Sequence, residues 1–215
     1  MKRLIAVAFL VLYAICLPLS SAYAAKVMSL TEANFKKDNH GIILKAFSNK
    51  GEFFTEPNNK AKEQISLDFI QNNYKVLGIA QSGVGVAVSK KTRFGNLTKI
   101  VYSRYYKGIE IIGSEVIVNM DNEGRIFEVV NNYQGEIDGL NVNPKMSSND
   151  CGEVVKNSMG LSKSSKIKSE LRLFNDGNNY FLVWRMFVKD NKSEFIAVVD
   201  ANTGKILKKR SLRIN

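Results

Sequence analysis

From Gly83 to Tyr133 apolar and polar residues alternate with period two, and short glycine-bearing turns cut the alternation into four strands. They read as Gly83–Ser89, Leu97–Tyr106, Ile109–Asp121 and Arg125–Tyr133. Tyr106-Lys107-Gly108 is a hairpin turn, with Gly108 free to take positive φ, and Asp121-Asn122-Glu123-Gly124 is a second turn. Gly113, inside the longest strand, predicts a bulge or a close backbone approach. Successive strands joined this tightly form an antiparallel meander. Ahead of it the period changes. Ala61, Ile65 and Phe69 recur at helical spacing, Ile70, Tyr74 and Leu77 widen the stripe, Pro57 suits a first turn and Gly78 a stop. Lys26–Phe54 carries no pattern strong enough to assign.

The same order returns after a short polar stretch. Ser147-x-x-Asp150 is a capping-box start, Cys151, Val154, Val155 and Met159 share one helical face, and Gly160 stands where helices end. Strands follow at Lys168–Phe174, Tyr180–Val188, Glu194–Asp200 and Lys205–Lys209. Tyr180, Leu182, Trp184, Met186 and Val188 fall on one face of theirs. The expected fold class is therefore α+β, in two small units, each a helix packed on an antiparallel β-meander. The expected division is a first unit over 25–136, a linker over 137–143 and a second unit over 144–215.

The first 24 residues change the picture of where this chain goes. Lys2 and Arg3 precede the apolar run Leu4–Leu17, and Ala22-Tyr23-Ala24 is a small-x-small site that places cleavage between Ala24 and Ala25. That is a secretory signal peptide, and its run is shorter than the ~20 residues a transmembrane helix needs. The expectation is a secreted, periplasmic or envelope protein with no stable membrane anchor. Cleavage lowers the formal net charge from +11 to +9 and leaves Cys151 as the single cysteine, read as a buried, inert thiol. Lysines are scattered along the chain, and the one tight basic cluster is Lys208-Lys209-Arg210 with Arg213 behind it. Nucleic acid is not the expected partner of a secreted chain.

The sequence shows no catalytic constellation. Its one histidine, His40, cannot supply H-E-x-x-H, and no G-x-S-x-G, phosphate-cradling glycine loop or cysteine pair for a metal is present. Asp200–Gly204 lacks the middle acidic ligand of a calcium loop and reads as a turn. No enzyme activity, cofactor or metal is expected.

Arg104-Tyr105-Tyr106-Lys107-Gly108-Ile109, Ile112-Gly113, Val116-Ile117-Val118 and the Asp121–Gly124 turn together resemble the fungalysin/thermolysin propeptide domain of thermolysin-type zinc metallopeptidases. Phe69–Leu77 is similar to the helix that precedes it there. Leu182-Val183-Trp184-Arg185 and Val198–Leu207, with V-D-A-x-T-G-K, resemble the PepSY domain that follows in those propeptides. The two resemblances cover most of Lys60–Arg210 and imply cystatin-like and PepSY-like units.

In that family the propeptide assists folding of its protease and inhibits it until cleavage. The resemblance thus implies a non-catalytic inhibitor or folding chaperone whose partner is a thermolysin-type zinc metalloprotease. Arg104, Tyr105 and Lys107 would bind that partner from the hairpin. Lys208, Lys209, Arg210, Arg213 and the Asn215 carboxylate would bind it from the tail, the carboxylate approaching the catalytic zinc. Two alternatives stand beside this: a metallopeptidase precursor truncated before its protease domain, and a stand-alone secreted or envelope PepSY-type binding module.

Overall fold

The structure is a computed structural model that describes residues 26–79, 81–162, 164–191 and 193–212. The expected signal peptide with its Ala24–Ala25 cleavage point, and Arg213 and Asn215 of the tail, lie outside the described residues.

Four short strands open the chain: β1 (Lys26–Val27), β2 (Asn34–Lys37), β3 (Ile43–Phe47) and β4 (Glu52–Phe53). Helix α1 (Lys62–Asn72) follows, then β5 (Val84–Phe94), β6 (Leu97–Tyr106), β7 (Ile109–Met120) and β8 (Ile126–Asn131). Helix α2 (Ser148–Met159) leads into β9 (Lys166–Asn175), β10 (Tyr180–Lys189), β11 (Glu194–Asp200) and β12 (Ile206–Ser211). The strands of both period-two regions form near where the alternation places them, although β5 runs on past Ser89 to Phe94. The first helix begins later than Pro57 suggests, because the chain runs extended past Asn58, whose N–H donates to Glu123 O at 2.8 Å.

Two separate helix-on-meander units are not what forms. The protein is mostly β, with 46% strand against 12% helix, and ten of its strands join one mixed sheet. β5–β6–β7–β8 is antiparallel, β3 and β2 extend it beyond β8, and β9–β10–β11–β12 is antiparallel in turn. The joint is parallel: β9 runs beside β7 with Ile111 opposite Leu173. It forms because β7 is long. β8 pairs only with Val116–Met120, so the first half of that edge of β7 remains open and β9 takes it. Alternation tells which face a residue takes, not which edge a strand will join.

Three apolar clusters follow this layout. One packs Ile65, Phe69 and Ile70 of α1 on Ile100, Tyr102, Val116, Val118 and Val129. A second packs Cys151 and Val155 of α2 on Met186, Val188, Phe195, Ala197 and Val199. The third sits at the joint, where Tyr106, Ile111, Leu173 and Leu182 meet Ile137, with Leu140 and Val142 against them. The segment expected as a linker therefore packs its apolar residues into the joint. Gly78 has φ +65, and a Cβ there would stand 2.6 Å from the Tyr133 ring, so this close approach requires glycine.

Candidate functional site

The hairpin contributes less surface than its residue types suggest. On β6, Ile100, Tyr102, Arg104 and Tyr106 share the face that looks toward the helices, so Arg104 points inward and is 2% exposed. One of its terminal nitrogens, Nη2, donates to Leu77 O and to Asn131 Oδ1, both at 2.6 Å. Asn131 Nδ2 in turn donates to Ile43 O at 2.6 Å, which ties β8 to β3. The guanidinium lies 5.5 Å from the Tyr133 ring centroid, and burial pushes its pKa down to about 10. Arg104 is thus a core tie between strands. Tyr105 is half-buried on the opposite face, across from Glu110. Lys107 takes φ 47 in the turn, donates from Nζ to Leu140 O at 3.3 Å, and lines a cleft of about 480 Å³ with Glu136 and Asp138.

The basic cluster lies on β12, the edge strand. The register slips by one residue between Val198 and Val199, so Ile206 sits with Val199 on the α2 face. Lys208 and Arg210 then pair with Val198 and Ile196 on the other face. Lys209 returns to the α2 side, 4.5 Å from the Phe195 ring centroid, and donates from Nζ to Met159 Sδ at 3.4 Å. The three consecutive cations are therefore split between two faces.

On the face away from α2, rows cross the sheet: Arg185–Val198–Lys208 and Phe187–Ile196–Arg210. Lys208 Nζ reaches to 5.9 Å from the ring centroid of Phe174 on β9, three strands away. At ~4.8 Å between strands the two backbones stand ~14 Å apart, so the twisted sheet cups and their side chains converge. The result is a cavity of about 130 Å³. Its floor is Ile112, Phe174, Ile196 and Val198, and its rim is Arg185, Lys208 and Arg210.

The charges around this cavity are unevenly matched. Arg172 pairs with Glu170 at 2.9 Å and Glu110 at 3.4 Å, and Lys168 with Glu170 at 3.2 Å. Among the described residues no carboxylate lies within ion-pair distance of Arg185, Lys208 or Arg210. Arg185 instead lies 4.8 Å from the Phe187 ring centroid. Lys208 and Arg210 were visible in the sequence as a cluster. Arg185, Phe174 and Ile112 were not, and the one signal for Arg185 was a charge interrupting the apolar run of β10.

Comparison with known proteins agrees with the hairpin region. Residues 87–133, from within β5 to just past β8, match the Fungalysin/Thermolysin Propeptide Motif. That stretch is propeptide-like in sequence and forms the strand–turn–long strand–turn–strand unit. No curated protein matches the chain. Among solved structures, the Bacillus megaterium YpeB C-terminal domain aligns at 13% identity with a TM-score of 0.41, covering 80% of this chain and 73% of that chain. No helix among the described residues is long and apolar enough to cross a membrane.

Proposed function

We propose that this chain is a secreted, non-catalytic propeptide-like protein that binds a thermolysin-type zinc metalloprotease as an inhibitor or folding helper. The match of residues 87–133 to the propeptide motif carries the reading. The signal-like N-terminus supports export, and V-D-A-x-T-G-K supports a PepSY-like second unit over 144–215 beside a first unit over 25–136. H-E-x-x-H does not occur within these 215 residues, which hold a single histidine, so the protease in this reading stands as a partner.

In this reading Tyr105 and Lys107 of the hairpin and Lys208, Lys209 and Arg210 of β12 contact the protease, with Arg213 and Asn215 completing the tail. Arg104 acts on the same surface indirectly, by holding β6 in place. Basic side chains steer association with an acidic partner surface and set its salt dependence.

The test is residual activity of a thermolysin-type protease against increasing concentrations of the purified chain, with the chain's mass checked afterwards. Saturable inhibition, or a higher yield of refolded protease, with the chain intact supports the proposal. Digestion of the chain with neither effect, repeated on a protease secreted by the same organism, overturns it. Truncation after Leu212 keeps β12 whole and isolates the contribution of the tail.

A further inference from the structure

We propose that the cavity on the open face of β9–β12 is a binding site for a carboxylate carried on a short apolar group. The inference stands whether or not the chain inhibits a protease. Three features select this chemistry. The rim holds Arg185, Lys208 and Arg210, which no carboxylate among the described residues answers, whereas Arg172 on the same face is answered by two. Three cations of one sign around a concave, partly apolar surface focus positive potential there. The floor is Ile112, Phe174, Ile196 and Val198, so a wholly polar anion would leave it uncovered. The volume, about 130 Å³, approaches the ~150 Å³ that accommodates a benzene ring, which fits one branched or aromatic group and no long chain.

A ligand of this kind covers the floor with its apolar part and sets its carboxylate among the rim cations, where charge-assisted hydrogen bonds are strongest. Two sources share the chemistry: the apolar C-terminal residue of a peptide and a free organic acid. Among the described residues β12 stands at the end of the strand order, paired with β11, so its other edge runs beside the rim, where an extended peptide can lie.

The experiment is a calorimetric or ligand-observed NMR titration of the purified chain with three probes: N-acetyl-Ala-Ala-Leu with a free carboxylate, its C-terminal amide, and hexanoate. We expect saturable binding of the free tripeptide, weakened by added salt, and binding of the amide at least about tenfold weaker. Lys208→Gln and Arg210→Gln, both at exposed positions that leave the fold intact by circular dichroism, each weaken binding by about tenfold. Lys205→Gln, in the turn before β12, removes the same charge without effect. Hexanoate binding as tightly as the tripeptide upholds the site with a free acid as its source, and tripeptide binding alone upholds it with a peptide end. Equal affinity for acid and amide overturns the proposal. So does a Lys205→Gln loss equal to that of Lys208→Gln, or no binding of either carboxylate at concentrations on the order of 10 mM.

Discussion

The two helices lie against the same kind of sheet and are held there by opposite means. α1 starts at Ala61, which supplies no side-chain cap, and ends at Asn73 without a left-handed residue. Its stability comes from neighbours: Ser66 Oγ and Glu63 O both bond the Tyr102 hydroxyl, Lys62 Nζ donates to Asn122 O, and Lys91 pairs with Glu63 at 2.6 Å. α2 carries its own signals. Ser147 and Asp150 form a reciprocal capping box, and Gly160 closes the helix at φ 58. Its contacts with the sheet are largely apolar, joined by Lys209 Nζ donating to Met159 Sδ at 3.4 Å and, in the lead-in, by the Trp184 indole donating to Met146 O at 3.0 Å. A helix specified by tertiary partners and one specified by its own termini fail in different ways when cut.

The deepest cut is Asn131→Ala. It takes one of two close acceptors from the buried Arg104 guanidinium and leaves Ile43 O without its Asn131 donor. A loss of about 3 kcal/mol is expected, since groups left unmatched around a buried charge are costly. Trp184, the sole tryptophan, packs against both the α2 cluster and the joint, so fluorescence follows the second half and its junction while far-UV circular dichroism follows the whole chain. In urea, the circular dichroism midpoint of Asn131→Ala falls below the fluorescence midpoint if the regions unfold separately. The two fall together if the shared sheet couples them.

Next in size is Tyr102→Phe, which removes the hydroxyl bonded to Ser66 and Glu63 O and costs about 1.5 kcal/mol by urea denaturation. Its counterpart on the other side is Ser147→Ala, at about 1 kcal/mol, with Trp184 fluorescence as the reporter. A Ser147→Ala effect as large as that of Asn131→Ala would erase the contrast between the two helices.

Alkaline pH separates the regions further. Burial holds the Tyr102, Tyr133 and Tyr180 phenols above their ordinary value of 10. Above pH 10 the folded state therefore keeps protons that the unfolded chain has lost, so this stability is intact below pH 10 and falls as pH rises through the folded values. Arg104 works the other way, since burial lowers its folded value to about 10, and the cost of burying its charge is relieved as pH rises above that value. The phenols predict that the unfolding midpoint drops as pH rises above 10, and Arg104 opposes that drop. Late phenolate absorbance should accompany the drop, and Tyr102→Phe should reduce it. The smallest effect is chemical. Cys151 is fully buried and its thiol is pushed up, chiefly by burial, so it should react with iodoacetamide only when α2 leaves the sheet.

How far the sequence disclosed these features depended on range. Most strand spans from β6 on, the Lys107-Gly108 turn and the Gly113 irregularity, which takes φ +72, follow from local pattern, whereas β1–β4 lie where the sequence carries no assignable pattern. The single sheet did not, because the Ile111–Leu173 pairing depends on an edge of β7 left vacant by a shorter neighbour. The inward turn of Arg104 was present in the alternation with Tyr102 and Tyr106. Arginine's usual preference for the surface argued against it, and the strand's parity prevailed. For the candidate site, Lys208 and Arg210 stood out as charges, but their convergence with Phe174 and Ile112 is a product of sheet curvature, which no short window of residues records.

The vacant half-edge of β7 also bears on the order of assembly. During synthesis the residues through Asn131 emerge before β9 exists, and N-terminal regions fold first when they can. If the strands up to β8 pair first, they display an open strip of β7 from Ile109 to Ile112 until β9 joins it. In that order β9 would meet a template already in place, and the later half would grow outward from it, strand by strand, like a crystal from a seeded face.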